Sequence, residues 1–216
     1  MSHSTTSERL SLTGDLVRAS MPLETRTFDF SNVEGLSQGA LEIHRSLYEG
    51  YVKEANALLP LLYANRGADE PSQIERLRYD GMVRRYAFEK NGALLHELFF
   101  EALRGRSDPP RTTGVFLEAI DEGYGSFNAW KNDMRKLAET RGIGWVLTMQ
   151  SAGDGRINNI WVDEHSHGLL ADAVPILAID LWEHAYLIDF KPSERLQYLQ
   201  TVFDNIDWQI VEARCF

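Results

Sequence analysis

Apolar residues recur with two different periods along this chain, and the change of period divides it. From about Ser37 to Leu59 the positions Leu41, His44, Tyr48, Tyr51, Val52 and Ala55 fall on one stripe, the spacing of a helix with one buried face. Pro60 and the Asn65-Arg-Gly67 stretch are expected to end it. A second helical pattern runs from roughly Ser72 to Arg104 and carries Phe88, Ala93, Leu95, His96, Phe99, Phe100 and Leu103, with a break expected near Asn91-Gly92. Two long helices with a short connection predict an antiparallel hairpin. Beyond Arg106-Ser-Asp-Pro-Pro-Arg111, the best linker in the chain, Val115 to Tyr124 and Phe127 to Arg141 again read as helices. Then the period shortens. Trp145 to Gln150, Arg156 to Val162 and Val174 to Ile179 read as strands, with a hairpin turn at Ser151-Ala-Gly-Asp-Gly155 joining the first two. After Asp180 the pattern is helical once more, and Pro192 stands as a first-turn residue for a last helical pair.

The expected fold is therefore α+β: an N-terminal α-helical hairpin followed by a C-terminal α/β domain with a three-stranded antiparallel sheet, divided as residues 1–105 and 106–216. Residues 1 to about 25 are polar and irregular and are expected to form a loose arm. Thr25 to Phe30 alternates enough to be extended. There is no internal repeat and no low-complexity tract.

Composition narrows the function. With 216 residues and 44% hydrophobic content, the chain can build a core without covalent staples. A formal net charge of −10 disfavours nucleic acid and an anionic membrane surface as partners. The same charge gives no overall attraction for an anionic substrate, so any steering must come from local Lys and Arg. Cys215 is the single cysteine, which excludes a disulfide framework and fits a reducing compartment. No apolar run reaches transmembrane length and the first residues lack a secretory pattern, so the protein is expected to be cytoplasmic.

The candidate chemistry centres on Asp180-Leu-Trp-Glu-His184, which follows the apolar run Val174-Pro-Ile-Leu-Ala-Ile179. A carboxylate and an imidazole one helical turn apart, so near a core, are costly to desolvate without a cation. His44 and His96 lie on apolar helical faces. Either alone reads as a core histidine, but the four together offer three neutral imidazoles and one carboxylate. That set suits iron or manganese with an open position for solvent or substrate, and zinc on ligand type alone. His96-Glu97 opens like a zinc-protease HExxH, but Phe100 stands where the second histidine belongs. His165 and His167 are a possible H-x-H metal clip.

At Asp180-Leu-Trp-Glu-His-Ala-Tyr186 the chain closely resembles the D-x-W-E-H-A-Y signature of iron/manganese superoxide dismutases. Gly125-Ser-Phe127, Gly142-Ile-Gly-Trp145, Tyr51-Val52, Asn56-Ala-Leu58 and the His96 segment resemble further parts of that family. The likeness runs from about residue 38 onward. It implies the ligands His44, His96, Asp180 and His184, one iron or manganese ion per subunit, and conversion of superoxide to oxygen and hydrogen peroxide. It further implies Tyr51 beside the substrate and His165 as the hydrogen-bond partner of metal-bound solvent, with Gly92 consistent with that choice. Trp145 and Trp182 would wall the pocket. Glu183 would reach across the interface of a homodimer or higher homo-oligomer.

The chain also departs from the family. Tyr51 follows His44 by seven residues rather than eight, the usual gate histidine is either replaced by Tyr48 or absent, and Leu187 replaces a second tyrosine. Leu95, Phe100 and Leu147 replace other usual rim residues. Seven residues bring Tyr51 nearly into line with His44 on a regular helix, so the expectation is that it still faces the metal. The altered gate keeps open an alternative, a superoxide-dismutase-like metal-binding protein with weak or different activity. A helical interaction protein with no metal is the reading from another class.

Overall fold

The structure, a computed structural model, describes residues 22–67, 69–106 and 114–216. Residues 1–21 of the expected arm, and the expected linker beyond Arg106, lie outside the described residues.

Helix α1 spans Gln38–Asn65, with the Ser37 side chain accepting a hydrogen bond from the Ala40 N–H at 3.1 Å. Its buried stripe is the expected one, His44, Tyr48, Val52 and Ala55 among it, extended by Leu59 and Leu62. The expected stop at Pro60 is not observed, because the helix continues to Asn65. An interior proline costs about 3 kcal/mol, while burying Leu59 and Leu62 on either side returns roughly 1.5–3 kcal/mol each. Packing outweighs the breaker.

Helix α2 spans Gln73–Ala102 and opens on a capping box between Ser72 and Glu75. It runs unbroken through Asn91-Gly92, contrary to the expected break. Gly92 is fully enclosed, and a Cβ there would lie 2.8 Å from Cδ1 of Tyr51. The glycine marks a close approach of helix to ring rather than a hinge. Together α1 and α2 pack as the expected hairpin.

The segment before α1 is not loose from Leu23 onward. Leu23 N–H donates to Asn56 Oδ1 at 2.7 Å, and Asn56 Nδ2 donates back to the Leu23 carbonyl at 2.9 Å. Arg26 N–H donates to the Tyr48 hydroxyl at 2.9 Å, and Phe28 packs on Tyr48 and Phe100. This segment joins no sheet.

Helices α3, Val115–Tyr124, and α4, Phe127–Ala138, meet at Gly125, whose φ of 75° closes the first, and Ser126, which caps the second. The second ends short of the expected Arg141. Strands β1, Gly144–Ser151, β2, Ile157–Asp163, and β3, Ala173–Asp180, form one antiparallel sheet in the order β2-β1-β3. Central β1 is buried along almost its whole length. Pro175 sits on edge strand β3 beside a register shift, where a missing N–H is tolerated. The one-turn helix α5, Glu183–Tyr186, follows, then a 3₁₀ turn at Pro192–Glu194, α6, Arg195–Asp204, and α7, Trp208–Arg214. Helix α2 packs on β3 and α4 on β2, so the hairpin is joined to the sheet along the strand that ends in Asp180. Among the described residues no helix is long and apolar enough to cross a membrane.

Pro60 is exposed within α1, which makes its cost separable from its surroundings. Replacing it restores helix propensity worth about 3 kcal/mol, less up to about 1 kcal/mol for the freer unfolded chain. Pro60→Ala is expected to stabilise the protein by about 2 kcal/mol in urea denaturation. A destabilised variant would show that the proline is held in an unstrained kink.

Candidate metal centre

Four elements each bring one side chain to a common point. His44 comes from the middle of α1, His96 from the last third of α2, Asp180 from the end of β3 and His184 from α5. Ligand atoms of all four lie within 4.8 Å of one another. Asp180 and His184 do not share a helix, as their spacing alone implied. Asp180 is the last residue of β3, and Trp182 caps the turn that carries His184.

The geometry centres on one oxygen. Asp180 Oδ2 lies 2.9 Å from His44 Nε2, 3.2 Å from His184 Nε2 and 3.4 Å from His96 Nε2. Its other oxygen accepts the Trp182 backbone N–H at 2.8 Å, which fixes the carboxylate plane. His44, His96 and Asp180 are buried, and His184 keeps partial exposure. Burial favours a neutral Asp180, but the imidazoles of His184 and His44 beside it outweigh that and hold its carboxyl well below the usual range. Burial also holds the His44 and His96 imidazoles below their ordinary value, so they present neutral nitrogens.

His96 gives the clearest test of what the cluster is for. Its Nδ1–H donates to the Gly92 carbonyl at 2.6 Å, one turn back on α2. The neutral ring then carries a bare lone pair on Nε2, which is buried and makes no hydrogen bond. That lone pair faces a carboxylate oxygen at 3.4 Å. Two electron-rich atoms enclosed together are repulsive unless a cation lies between them. The donor set of three imidazoles and one carboxylate fits a mononuclear transition-metal ion.

A second arrangement flanks the cluster. Trp145, the cross-strand partner of Asp180, donates its indole N–H to His165 Nδ1 at 3.0 Å. Neutral His165 therefore carries its proton on Nε2, which donates to the Tyr51 hydroxyl at 3.0 Å. Protonating His165 would set a second N–H against the indole. Burial moves its pKa from 6.5 to about 4. Tyr51 lies over His96, with ring centroids 5.1 Å apart. Burial, then the charges of Asp180 and Glu89, push its hydroxyl well up and keep it neutral. The Trp182 ring stacks on His165 at 4.9 Å and on His184 at 5.7 Å, and Trp145 meets His96 edge-on at 5.0 Å. Both tryptophans wall the site.

Other sequence candidates part company with it. His167 is exposed while His165 is buried, so they make no clip, and neither belongs to the four-residue group. Tyr48 is fully enclosed and turned away: its hydroxyl donates to Glu97 Oε1 at 2.9 Å while accepting from Arg26 N–H. Glu183 and Leu187 are exposed on α5 and just beyond it. Sequence reasoning missed Arg195. It donates to the carbonyls of Thr140, Gly142 and Leu181, tying the entry of β1 to the residue after Asp180. Its place near Pro192, at the start of a helix, gave no sign of that reach.

A family model described as iron/manganese superoxide dismutases, C-terminal domain, matches residues 112–214. The chain is 33% identical to a manganese superoxide dismutase of Haloferax volcanii over 173 residues, which is 79% of this chain and 82% of that relative. It is 30% identical to an iron superoxide dismutase of Cupriavidus metallidurans over 187 residues, 85% of this chain and 90% of the relative. An iron superoxide dismutase of Aquifex pyrophilus matches at 30% over 187 residues, 85% of each chain.

Gly92→Ala sets two effects against each other. Helix propensity favours alanine by about 1 kcal/mol, but a Cβ at 2.8 Å from the rigid Tyr51 ring forces a shift that costs about 1–3 kcal/mol. The variant is expected to melt lower than wild type and to lose the Tyr51–His165 bond, seen as a changed Nε2–H signal in NMR. A second expectation concerns acid. In metal-free protein His165 has a folded pKa below its unfolded one, so the unfolded chain takes protons first. Stability is then level above about pH 6.5 and falls as pH drops towards 4, by up to about 3 kcal/mol from this residue. His165→Gln should flatten part of that fall in denaturant titrations of the metal-free protein. An unchanged slope would mean that His44 and His96 carry all of it.

Proposed function

The chain belongs to the iron/manganese superoxide dismutase family, and from that premise we propose that it converts superoxide to oxygen and hydrogen peroxide at one iron or manganese ion held by His44, His96, Asp180 and His184. The observation that carries this reading is the buried, unpaired Nε2 of His96 facing the Asp180 carboxylate. When bound, the ion supplies one-electron exchange, taking an electron from one superoxide and returning it to a second.

The chain's own residues supply the rest. Three neutral donors and one carboxylate leave the occupied site positively charged, which favours a small anion. Forming hydrogen peroxide consumes two protons, and the flanking hydrogen bonds are directed towards that need. Trp145 donates to His165 and His165 donates to Tyr51, so the Tyr51 hydroxyl proton is free to point into the site. We assign Tyr51 to holding and passing that proton and neutral His165 to fixing its direction. Trp145 and Trp182 exclude bulk water and anything larger than a small anion.

The protein acts in the cytoplasm on this reading, as a homodimer or higher homo-oligomer with Glu183 at the interface. Exposed Ile43 and Leu47 on α1, with Leu187 just beyond α5, support an apolar contact there. A second reading rests on Tyr48. Its hydroxyl is committed to Arg26 and Glu97, and Leu187 offers no hydroxyl, so the usual gate is missing and activity could be weak or different.

Elemental analysis with a superoxide assay on the same samples decides between them. Wild type is expected to carry one iron or manganese per chain and to dismutate. Asp180→Ala is expected to lose both. Tyr51→Phe is expected to keep its metal and slow about tenfold. That is less than the ~10²–10⁴ typical of an essential general acid, because Tyr51 is only half-buried and water can substitute in part. Full metal content with near-background turnover in wild type would favour the second reading.

A further inference from the structure

The reaction proposed above takes an anion, yet the chain as a whole carries a charge of −10. Its general field therefore opposes the substrate. The local charges near Tyr51 are first a further obstacle. Glu89, on α2 one turn before Gly92, is only 1% exposed. Its charge helps to push the Tyr51 hydroxyl up, and Glu54 of α1 adds a negative charge near Glu89 itself. A lone buried carboxylate here would stand beside the half-buried tyrosine that the substrate must meet.

Arg85, one turn earlier on α2, forms an ion pair with Glu89 Oε1. Its side chain is 61% exposed, so the cation stands at the surface while the carboxylate is enclosed. The guanidinium carbon lies 5.3 Å from the centroid of Phe88, and that half-buried ring packs on His165 at 4.6 Å and on Tyr51 at 6.1 Å. Phe88 thus links the cation to the flank of the site where Tyr51 and His165 meet.

We propose that Arg85 is a specificity-determining residue for a small monoanion: paired with Glu89 and seated on Phe88, it cancels the enclosed carboxylate and lets an anion approach past Tyr51. The inference rests on the dismutase reading for its substrate, though not for its electrostatics. A unit charge about 5–10 Å away in a water-like medium changes the local concentration of a monoanion by about two- to fourfold.

The test uses iron-loaded protein of verified metal content, with azide as the anion probe. Azide affinity is read from the absorbance change and kcat/KM for superoxide from a rapid assay, both at about 10 mM and about 1 M ionic strength. Arg85→Gln is expected to weaken azide binding and lower kcat/KM about threefold at low salt. The difference should vanish at high salt, where the screening length is about 3 Å. Arg85→Lys should behave as wild type. Glu89→Gln leaves the cation uncompensated and should tighten azide binding about threefold. The double variant R85Q/E89Q should return to the wild-type value, which a merely structural pair would not do. If R85Q does not fold, E89Q and the double variant carry the test alone. Unchanged azide affinity in E89Q, or changes that persist at high salt, overturns the assignment. Wild type that binds azide with this charge dependence but does not dismutate superoxide would sink the dismutase reading and leave the role of Arg85 standing.

Discussion

Three imidazole nitrogens share one carboxylate oxygen in a desolvated space, and the rest of the structure is arranged around that crowding. In the absence of a cation the arrangement is costly. Asp180 is fully enclosed, and the His96 lone pair at 3.4 Å from its oxygen has no proton to offer. Such a cluster persists only when its ligands are held from behind. The Gly92 carbonyl holds His96, the Trp182 N–H holds Asp180, and Arg195 ties the backbone just past Asp180 to the entry of β1. Metal binding and folding are thereby coupled: an ion that relieves the repulsion also stabilises the meeting of α1, α2, β3 and α5.

The same point of convergence explains how α1 is used. On a regular helix, seven residues fall about 20° short of two full turns, and four overshoot one turn by about 40°. Tyr51 therefore stays nearly in line with His44 and lies over His96, while Tyr48 is rotated off that line. The structure shows both consequences. Tyr51 accepts from His165, and Tyr48 is enclosed under Phe28, where its hydroxyl ties down Arg26 and meets Glu97. One position that could have lined the substrate path instead secures the segment preceding the hairpin. Gly92 completes the exchange, since any side chain there would occupy the place of the Tyr51 ring.

Periodicity reached the two long helices, the three strands and their order along the chain, because each buries a regular face that leaves its mark in the residue pattern. It failed where a local signal was overruled from a distance. Pro60 is a breaker by its own chemistry, but Leu62 beyond it is drawn into the core. Gly92 looks like a hinge until the Tyr51 ring is seen against it. The segment from Leu23 looked loose because Asn56, the residue that holds it, lies 33 positions away. The four converging side chains were legible through their types and the Asp180–Tyr186 signature. The polarity of the Trp145–His165–Tyr51 chain was not, since direction is set by which ring nitrogen faces which neighbour. Nor was the reach of Arg195 or the pairing at Glu89, both of which depend on three-dimensional proximity to backbone or charge.

That polarity clarifies what position 165 requires. The site needs an atom that accepts from the Trp145 indole and, a few ångströms on, a group that donates to Tyr51. A neutral imidazole meets this in one tautomer, and a carboxamide meets it with its oxygen and nitrogen. A carboxylate would accept at both ends and reverse the Tyr51 hydroxyl. An apolar residue would leave the indole N–H buried without a partner, at a cost of about 1–3 kcal/mol. Histidine differs from the amide in being able to take a second proton, but its pKa of about 4 keeps it neutral over the range in which the enzyme would work. At neutral pH it therefore serves as a rigid donor–acceptor bridge. The histidine matters for the direction it imposes on the Tyr51 proton, and its own basicity is suppressed by the burial that fixes that direction.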